Sequence, residues 1–132
     1  MNQFDTAAGS RRTVLVLDDD SAVRDSLKFS LEIEGFEVRT YASPMDLLND
    51  TALLAASCLI VDYHMPTMNG LDVVESLRNR RRSMPAILVT SHPNSGIRER
   101  AAAAGVILVE KPFRGAFLMD CIRVALDPGD RA

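Results

Sequence analysis

Short apolar runs alternate with segments of helical periodicity five times along the chain. The apolar runs predict strands at residues 13–17, 36–41, 57–61, 86–89 and 106–109. The periodic segments predict helices at residues 21–34, 71–79, 95–104 and 113–126, with a short one that opens at Ser43-Pro44. Because no hairpin signal joins two neighbouring strands, the pattern predicts an α/β fold, a (βα)5 doubly wound sheet of five parallel strands with helices on both faces.

Three of these elements carry a prediction about which side is buried. The first helix has apolar residues at four-residue spacing, which predicts an amphipathic helix with one buried face. It is predicted to be capped by Asp20 or Ser21 and to end at Gly35. The second strand alternates like an edge strand with one solvated face, which places Glu37, Arg39 and Tyr41 outward. The last helix is predicted to bury one stripe, made of Phe113, Phe117, Cys121 and Ala125.

Composition limits the classes of protein that fit. The 132 residues suit one domain, and 47% apolar content supports a core. A net charge of -3 argues against direct binding of nucleic acid, which needs clustered Lys and Arg. No apolar stretch approaches the roughly 20 residues that span a bilayer, so no membrane contact is expected.

The ends and the cysteines complete this picture. Residues 1–12 lack the apolar region of a signal peptide and are predicted to be a flexible leader. The domain is expected at residues 13–127 and a polar tail at 128–132. Cys58 and Cys121 fall at apolar positions and are predicted to be buried free thiols in a reducing compartment, which favours a cytoplasmic protein.

Polar residues that are candidates for a functional site follow four of the predicted strands. Asp18-Asp19-Asp20 follow the first strand, Asp62 the third, Thr90 the fourth and Lys111 the fifth. In a doubly wound sheet these positions share one edge, and the first and third strands can be neighbours at the switch point. Carboxylates, a hydroxyl and an ammonium group are therefore expected to meet in one crevice.

This set of groups fits the transfer of a phosphoryl group. Clustered carboxylates repel one another unless a cation joins them, and oxygen-only ligands select a hard cation, Mg²⁺ or Mn²⁺. A carboxylate beside such a cation can attack phosphorus and form an acyl phosphate. The cation, an ammonium group and a hydroxyl would stabilise the charge on the phosphoryl oxygens.

Four motifs in this order resemble the receiver domain of two-component response regulators. They are VLVLDDD, LIVDYHMPTMNGLD, ILVTS and VEKPF, and the resemblance covers residues 13–126. It implies a flavodoxin-like, CheY-like fold with strand order 2-1-3-4-5. The motifs are most similar to those of regulators of the FixJ and NarL type, which carry a C-terminal helix-turn-helix.

The resemblance also implies a role for each site residue. Asp62 is the expected phospho-acceptor, with Thr90 as the switch hydroxyl and Lys111 as the contact to the phosphoryl group. The Lys111–Pro112 peptide bond is expected to be cis. The Mg²⁺ ligands implied by the family are Asp18, Asp19, Asp62 and the backbone carbonyl of His64.

Partners and switching follow from the same resemblance. A sensor histidine kinase or a phosphotransfer protein is the expected donor in a phosphorelay. The fourth helix, fifth strand and fifth helix form the face where relatives pair as homodimers or bind targets. Leu108 departs from the Tyr or Phe that the family often has three residues before the Lys. This departure argues against a switch that rotates an aromatic side chain, while a movement of Thr90 still has a route.

The two histidines lie at corresponding places in their loops. His64 is two residues past Asp62 and His92 is two residues past Thr90. They are too few for a structural zinc site, which usually takes four nitrogen or sulfur ligands. We expect both side chains to overhang the phosphoryl site and to tune how fast water removes the phosphoryl group.

Two other functions remain open at this point. One is a small aspartyl-phosphate phosphatase of the dehalogenase type, but that class uses Asp-x-Asp after its first strand and usually needs a cap domain. The other is the receiver portion of a DNA-binding transcriptional regulator that lacks its output domain. The sequence favours a phospho-acceptor, with possible hydrolysis of its own phosphoryl group, over an enzyme.

Overall fold

A computed structural model of the chain describes residues 12–51, 56–80 and 84–126. The predicted tail at residues 128–132 and all but Arg12 of the predicted leader lie outside the described residues. No helix in the described part of the chain combines the length and the apolarity that a bilayer crossing requires.

Strands and helices alternate strictly along the described chain. The strands are β1 (Thr13–Leu17), β2 (Glu37–Tyr41), β3 (Cys58–Asp62), β4 (Ala86–Thr90) and β5 (Ile107–Glu110). The helices are α1 (Ser21–Ile33), α2 (Pro44–Leu48), α3 (Gly70–Asn79), α4 (Ser95–Ala103) and α5 (Gly115–Leu126). Each predicted element is present, with bounds that differ from the predicted ones by at most two residues.

The five strands form one parallel sheet in the order β2-β1-β3-β4-β5. This is the predicted order 2-1-3-4-5. Leu17 pairs with Val61, Asp62 pairs with Val89, and Thr90 pairs with Glu110. The register therefore brings the carboxyl ends of β1, β3, β4 and β5 to the same edge of the sheet.

Two apolar layers cover the two faces of the sheet. One layer joins α1 and α5 to the sheet through Leu27, Leu31, Leu118 and Ile122. The other joins α2, α3 and α4 to it through buried side chains that include Leu47, Leu71, Leu77 and Ile97. Burial on both faces explains why β1, β3 and β4 are continuous apolar runs.

Helix boundaries follow from local chemistry. Asp20 caps α1, since its side chain accepts hydrogen bonds from the amides of Ala22 and Val23. Ser43 caps α2, and Asn69 forms a capping box with Asp72 at α3. Gly35 and Gly105 have φ angles of 98° and 69° just after α1 and α4, a conformation that glycine adopts at little cost.

The predicted buried stripe of α5 is wrong at Phe117, which is exposed, and incomplete at its other three residues, which are half-buried. Phe117 is 53% exposed, while Leu118, Met119 and Ile122 are buried. The helix begins at Gly115, so Phe113 precedes it and does not set its phase. The face that meets the sheet is therefore rotated away from the stripe that was counted from Phe113.

The solvated face predicted for β2 is also incomplete. Tyr41 was expected to point outward, yet only 8% of it is exposed because it packs with Leu47 and Leu48 of α2. Its hydroxyl donates a 2.6 Å hydrogen bond to Asp50 Oδ2. A short helix thus covers one side of an edge strand, which the alternation within the strand does not reveal.

Both cysteines are free thiols, as predicted, but only Cys58 is buried. Burial raises the pKa of the Cys58 thiol to about 12. Cys121 lies at the half-buried margin of α5, a consequence of the same rotation that exposes Phe117.

Candidate functional site

Among the described residues, the buried polar side chains are those of Asp18, Asp62 and Thr90. Asp18 directly follows β1, while Asp62 and Thr90 are the last residues of β3 and β4. A buried polar group is costly unless another group satisfies it, so buried carboxylates at one sheet edge indicate a site with a purpose beyond packing.

Lys111 bridges the two buried carboxylates. Its Nζ lies 3.2 Å from Asp18 Oδ2 and 3.3 Å from Asp62 Oδ1. The Lys111 amide donates a 2.8 Å hydrogen bond to the Thr90 carbonyl, which fixes the loop after β5 against the end of β4. The Lys111–Pro112 bond is cis, as the family resemblance implied.

The buried charges of this site shift the pKa values of Asp62 and Lys111. Burial and the nearby Asp18 raise the pKa of Asp62, although Lys111 partly offsets both effects. Burial alone would lower the pKa of Lys111, but Asp18 and Asp62 outweigh it, and the pKa is raised. Lys111 therefore stays protonated at neutral pH, and Asp62 is a carboxylate whose ionised form is stabilised less than in water.

We call Asp18, Asp19 and Asp62 the acidic site. One carboxylate oxygen from each residue lies within 4.8 Å of the others, which is close enough for one ion to contact all three. Asp19 is exposed, so one side of the acidic site faces solvent. An all-oxygen donor set with open positions fits a hard divalent cation such as Mg²⁺.

The three consecutive aspartates have three different surroundings. Asp18 is buried, and its Oδ1 accepts a 2.9 Å hydrogen bond from the Asp20 amide. Asp19 is exposed at the acidic site, and Asp20 caps α1. The Asp18 carbonyl also accepts a 2.8 Å hydrogen bond from Arg24 Nη1, a contact for which the sequence offered no signal.

The loop after β3 approaches Asp62 closely at Gly70. A Cβ atom at Gly70 would lie 2.6 Å from the Asp62 carbonyl oxygen and 2.6 Å from Leu88 Cδ1. The Gly70 amide donates to the Tyr63 carbonyl at 3.0 Å, which folds the loop back on the strand end. The sequence alone offers no measure of this approach.

Thr90, the two histidines and Leu108 are the remaining residues that the sequence singled out. Thr90 is fully buried, and its Oγ1 accepts a 3.2 Å hydrogen bond from the His92 amide. The exposed rings of His64 and His92 are 6.2 Å apart between centroids. Leu108 is partly buried on β5 and pairs with Leu88 of β4. The ligand role of the His64 carbonyl stays a prediction.

A cavity of about 520 Å³ adjoins the site on the side of α1. Its lining is mostly apolar and includes Ala22, Val23 and Leu27 on one side, with Pro112 and Phe113 on the other. Lys111 lines it as well, so the cavity and the buried carboxylates share one side chain.

Comparison with known proteins agrees with this geometry. The family profile described as "Response regulator receiver domain" matches residues 14–123. The response regulator protein TmoT of Ectopseudomonas mendocina is 37% identical over 86% of this chain and 52% of its own length. The transcriptional regulatory protein FixJ of Azorhizobium caulinodans is 34% identical over 86% of this chain and 54% of its own length. The chain thus spans about half the length of these curated relatives.

The fold has close counterparts among solved structures. The crystal structure of a response regulator receiver domain protein (CheY-like) from Methanospirillum hungatei superposes with a TM-score of 0.82 at 28% identity, covering 92% of this chain and 98% of that one. Sequence, fold and the arrangement of acids and lysine at one sheet edge agree, and the chain belongs to the response regulator receiver domain family of two-component signalling.

Proposed function

We propose that Asp62 accepts a phosphoryl group from a sensor histidine kinase or a phosphotransfer protein, in a reaction that depends on Mg²⁺. The observation that carries this proposal is the buried carboxylate of Asp62, held by a rigid strand end 3.3 Å from Lys111 Nζ. A nucleophile in this setting is oriented by the sheet and has a cation ready for the charge it receives.

The transfer step uses this chain's own groups. An Asp62 carboxylate oxygen attacks phosphorus, the bond from phosphorus to the donor's imidazole nitrogen breaks, and the imidazole keeps the electron pair and takes up a proton. An acyl phosphate remains on Asp62. Lys111 Nζ contacts a phosphoryl oxygen, and the Thr90 hydroxyl reaches another by leaving its contact with the His92 amide.

Receiver domains generally bind Mg²⁺ at an acidic pocket, and the acidic site offers the matching donors. We propose Asp18, Asp19, Asp62 and the His64 backbone carbonyl as the ligands, with Mn²⁺ able to replace Mg²⁺. When bound, the ion neutralises the repulsion among the carboxylates and polarises the phosphoryl oxygens.

We propose that the donor protein docks beside α1. The apolar cavity between α1 and the Pro112-Phe113 segment opens next to Lys111, so a donor helix packed there would hold its phosphohistidine close to Asp62. A small phosphodonor needs no such surface, which is why we favour a protein partner.

The readout is proposed to be a change of the face made by α4, β5 and α5, where a second copy or a target protein binds. Leu108 lies on this face in place of an aromatic side chain, so the change would start from Thr90. Because the match covers 52% of TmoT and 54% of FixJ, and FixJ is described as a transcriptional regulatory protein, we propose a DNA-binding output domain as the alternative setting. A cytoplasmic location and a signalling role, without turnover of outside substrates, fit this family.

His64 and His92 are proposed to tune the lifetime of the acyl phosphate. Their exposed rings follow the strand ends that carry Asp62 and Thr90, where they can restrict the approach of water. Replacing each with Ala should change the rate at which phosphate is lost, and unchanged lifetimes in both variants would exclude this role.

Phosphorylation with a small donor tests the main proposal. In acetyl phosphate and Mg²⁺, the intact protein should gain the mass of one phosphoryl group, and the Asp62→Asn variant should gain none. Asp20→Asn is the matched control, because Asn also caps helices well and Asp20 serves α1. Equal incorporation in Asp62→Asn and the wild type would refute Asp62 as the acceptor.

A further inference from the structure

The two histidine rings make a second cluster of metal-binding groups beside the acidic site. His64 and His92 follow β3 and β4, which are paired neighbours in the sheet. Their ring centroids are 6.2 Å apart, and the planes are inclined by 68°. Both side chains are exposed, so an ion can reach them from solvent.

We propose that His64 and His92 form a two-imidazole site for a borderline transition-metal cation, Zn²⁺ or Cu²⁺, at the entrance to the acidic site. Imidazole nitrogen favours these cations, whereas carboxylates and water favour Mg²⁺. The chain would thus hold two neighbouring cation sites that differ in donor type and therefore in the metal they select.

The ring separation suits this role. A metal ion lies ~2.0–2.1 Å from an imidazole nitrogen, which puts each ring centroid ~3 Å from the ion. Two rings on opposite sides of one ion are then ~6 Å apart, and a tetrahedral arrangement brings them to ~5 Å. The observed 6.2 Å lies at the wide end of this range, and side-chain rotation of exposed residues can close the gap of about 1 Å.

An ion held there would have a consequence for signalling, a part of the inference that rests on the proposed function. The two loops border the acidic site, so their bridging by a metal would narrow the approach to Asp62. Water or a phosphoryl oxygen would supply the remaining ligands, since the two imidazoles leave open positions. Zn²⁺ should therefore slow phosphorylation even when Mg²⁺ is saturating.

Pulsed EPR with Cu²⁺ tests the site directly on the full, tag-free chain. His64 and His92 are the two histidines of the sequence, so any imidazole signal must come from them. With excess Mg²⁺ present, the remote nitrogens of two bound imidazoles should modulate the spin echo of the wild type. The His64→Asn and His92→Asn variants should each show one imidazole, and the double variant none.

A binding titration with Zn²⁺ gives the second measurement. Each single variant should bind Zn²⁺ at least about tenfold more weakly than the wild type, since losing even an outer partner of a metal site costs about 10–100-fold. A wild-type Cu²⁺ spectrum with oxygen ligands alone, or with one imidazole, would overturn the proposal. So would Zn²⁺ affinities that neither substitution changes.

Asp62→Asn separates this inference from the proposed function. It keeps both histidines and lacks the proposed acceptor, so it should retain the two-imidazole signal. Loss of that signal in Asp62→Asn would show that the histidines do not form a site of their own. A wild-type protein that shows the two-imidazole copper signal but gains no phosphoryl group from acetyl phosphate would instead count against the acceptor role and leave the histidine site standing.

Discussion

At the scale of single residues, the site is built from groups whose surroundings make them different from their solvated forms. Asp62 is buried next to a second carboxylate, and Lys111 partly offsets the cost. Such an arrangement has an electrostatic cost that a bound cation can relieve. Stability and function are therefore expected to oppose each other at this residue.

Asp62→Asn should stabilise the protein at neutral pH when no divalent cation is present. The pKa of Asp62 is raised on folding, so its contribution to stability is present below the ordinary aspartate pKa of 3.8 and is lost as the pH rises through the folded value. The free energy of unfolding of the variant should therefore rise relative to that of the wild type between pH 4 and pH 7. Urea unfolding at several pH values measures this difference. An Asn variant that is less stable than the wild type at pH 7 would contradict this.

Gly70→Ala should destabilise the fold by about 1–3 kcal/mol, the usual cost of overpacking. The new Cβ would lie 2.6 Å from the Asp62 carbonyl oxygen, so the backbone next to the acceptor must shift and phosphorylation should slow. Gly115→Ala is the control, because a Cβ there meets nothing within 4 Å. Urea unfolding of both variants checks the difference, and equal stabilities would contradict the steric argument.

At the scale of elements, α4 buries few apolar side chains of its own. Only Ile97 and Ala101 are buried among its residues. Polar contacts to α3 add to this: Arg100 Nη2 lies 3.1 Å from Glu75 Oε2 and 3.5 Å from Asp72 Oδ1. Arg78 of α3 also donates to the carbonyl of Ala104, just after α4. These contacts link α4 to α3 in addition to the packing of its two buried side chains.

Arg100→Ala should loosen α4 with little effect on global stability. Exposed ion pairs contribute about 0–1 kcal/mol, so unfolding should change by no more than that. Amide hydrogen exchange should become faster in α4 and stay unchanged in α1. Arg123→Ala is the matched control, since Arg123 pairs with Asp120 of α5 at 2.8 Å. Unchanged exchange in α4 of Arg100→Ala would mean that the contact to α3 does not hold the helix.

The elements also show what a sequence can predict. The five strands and five helices were predictable because apolar runs, caps and glycines act locally. The burial of Tyr41 and the phase of α5 were not, because each depends on a neighbour that the local pattern does not contain. The same distinction applies to the features of the site. The positions of Asp18, Asp62, Thr90 and Lys111 follow from the strand ends, whereas the close approach of Gly70 is a matter of distance between two loops.

At the scale of the whole molecule, the sheet separates two apolar layers, and Cys58 belongs to one of them. Its side chain is fully buried, and its pKa is about 12. Thiol reagents react with the thiolate form. Cys58 is therefore protected from them by its burial and by its raised pKa, which keeps the thiol protonated.

Cys58 should therefore be labelled by thiol reagents only at the rate of global unfolding, while half-buried Cys121 reacts faster through local opening. Labelling followed by mass spectrometry in Cys121→Ser isolates the Cys58 rate, which should rise with urea in parallel with unfolding. Labelling of Cys58 in native buffer as fast as that of Cys121 would contradict a single cooperative core.

The three aspartates after β1 impose a limit on how this chain can vary in length. Asp18 faces inward, Asp19 faces the solvent side of the acidic site, and Asp20 caps α1. The surroundings of each aspartate depend on the number of residues between Leu17 and Ser21. Adding or deleting one residue in this segment would therefore move all three aspartates into different surroundings at once. Substitutions can change these positions one at a time, but insertions and deletions cannot, and a library of length variants should therefore tolerate no change in this segment.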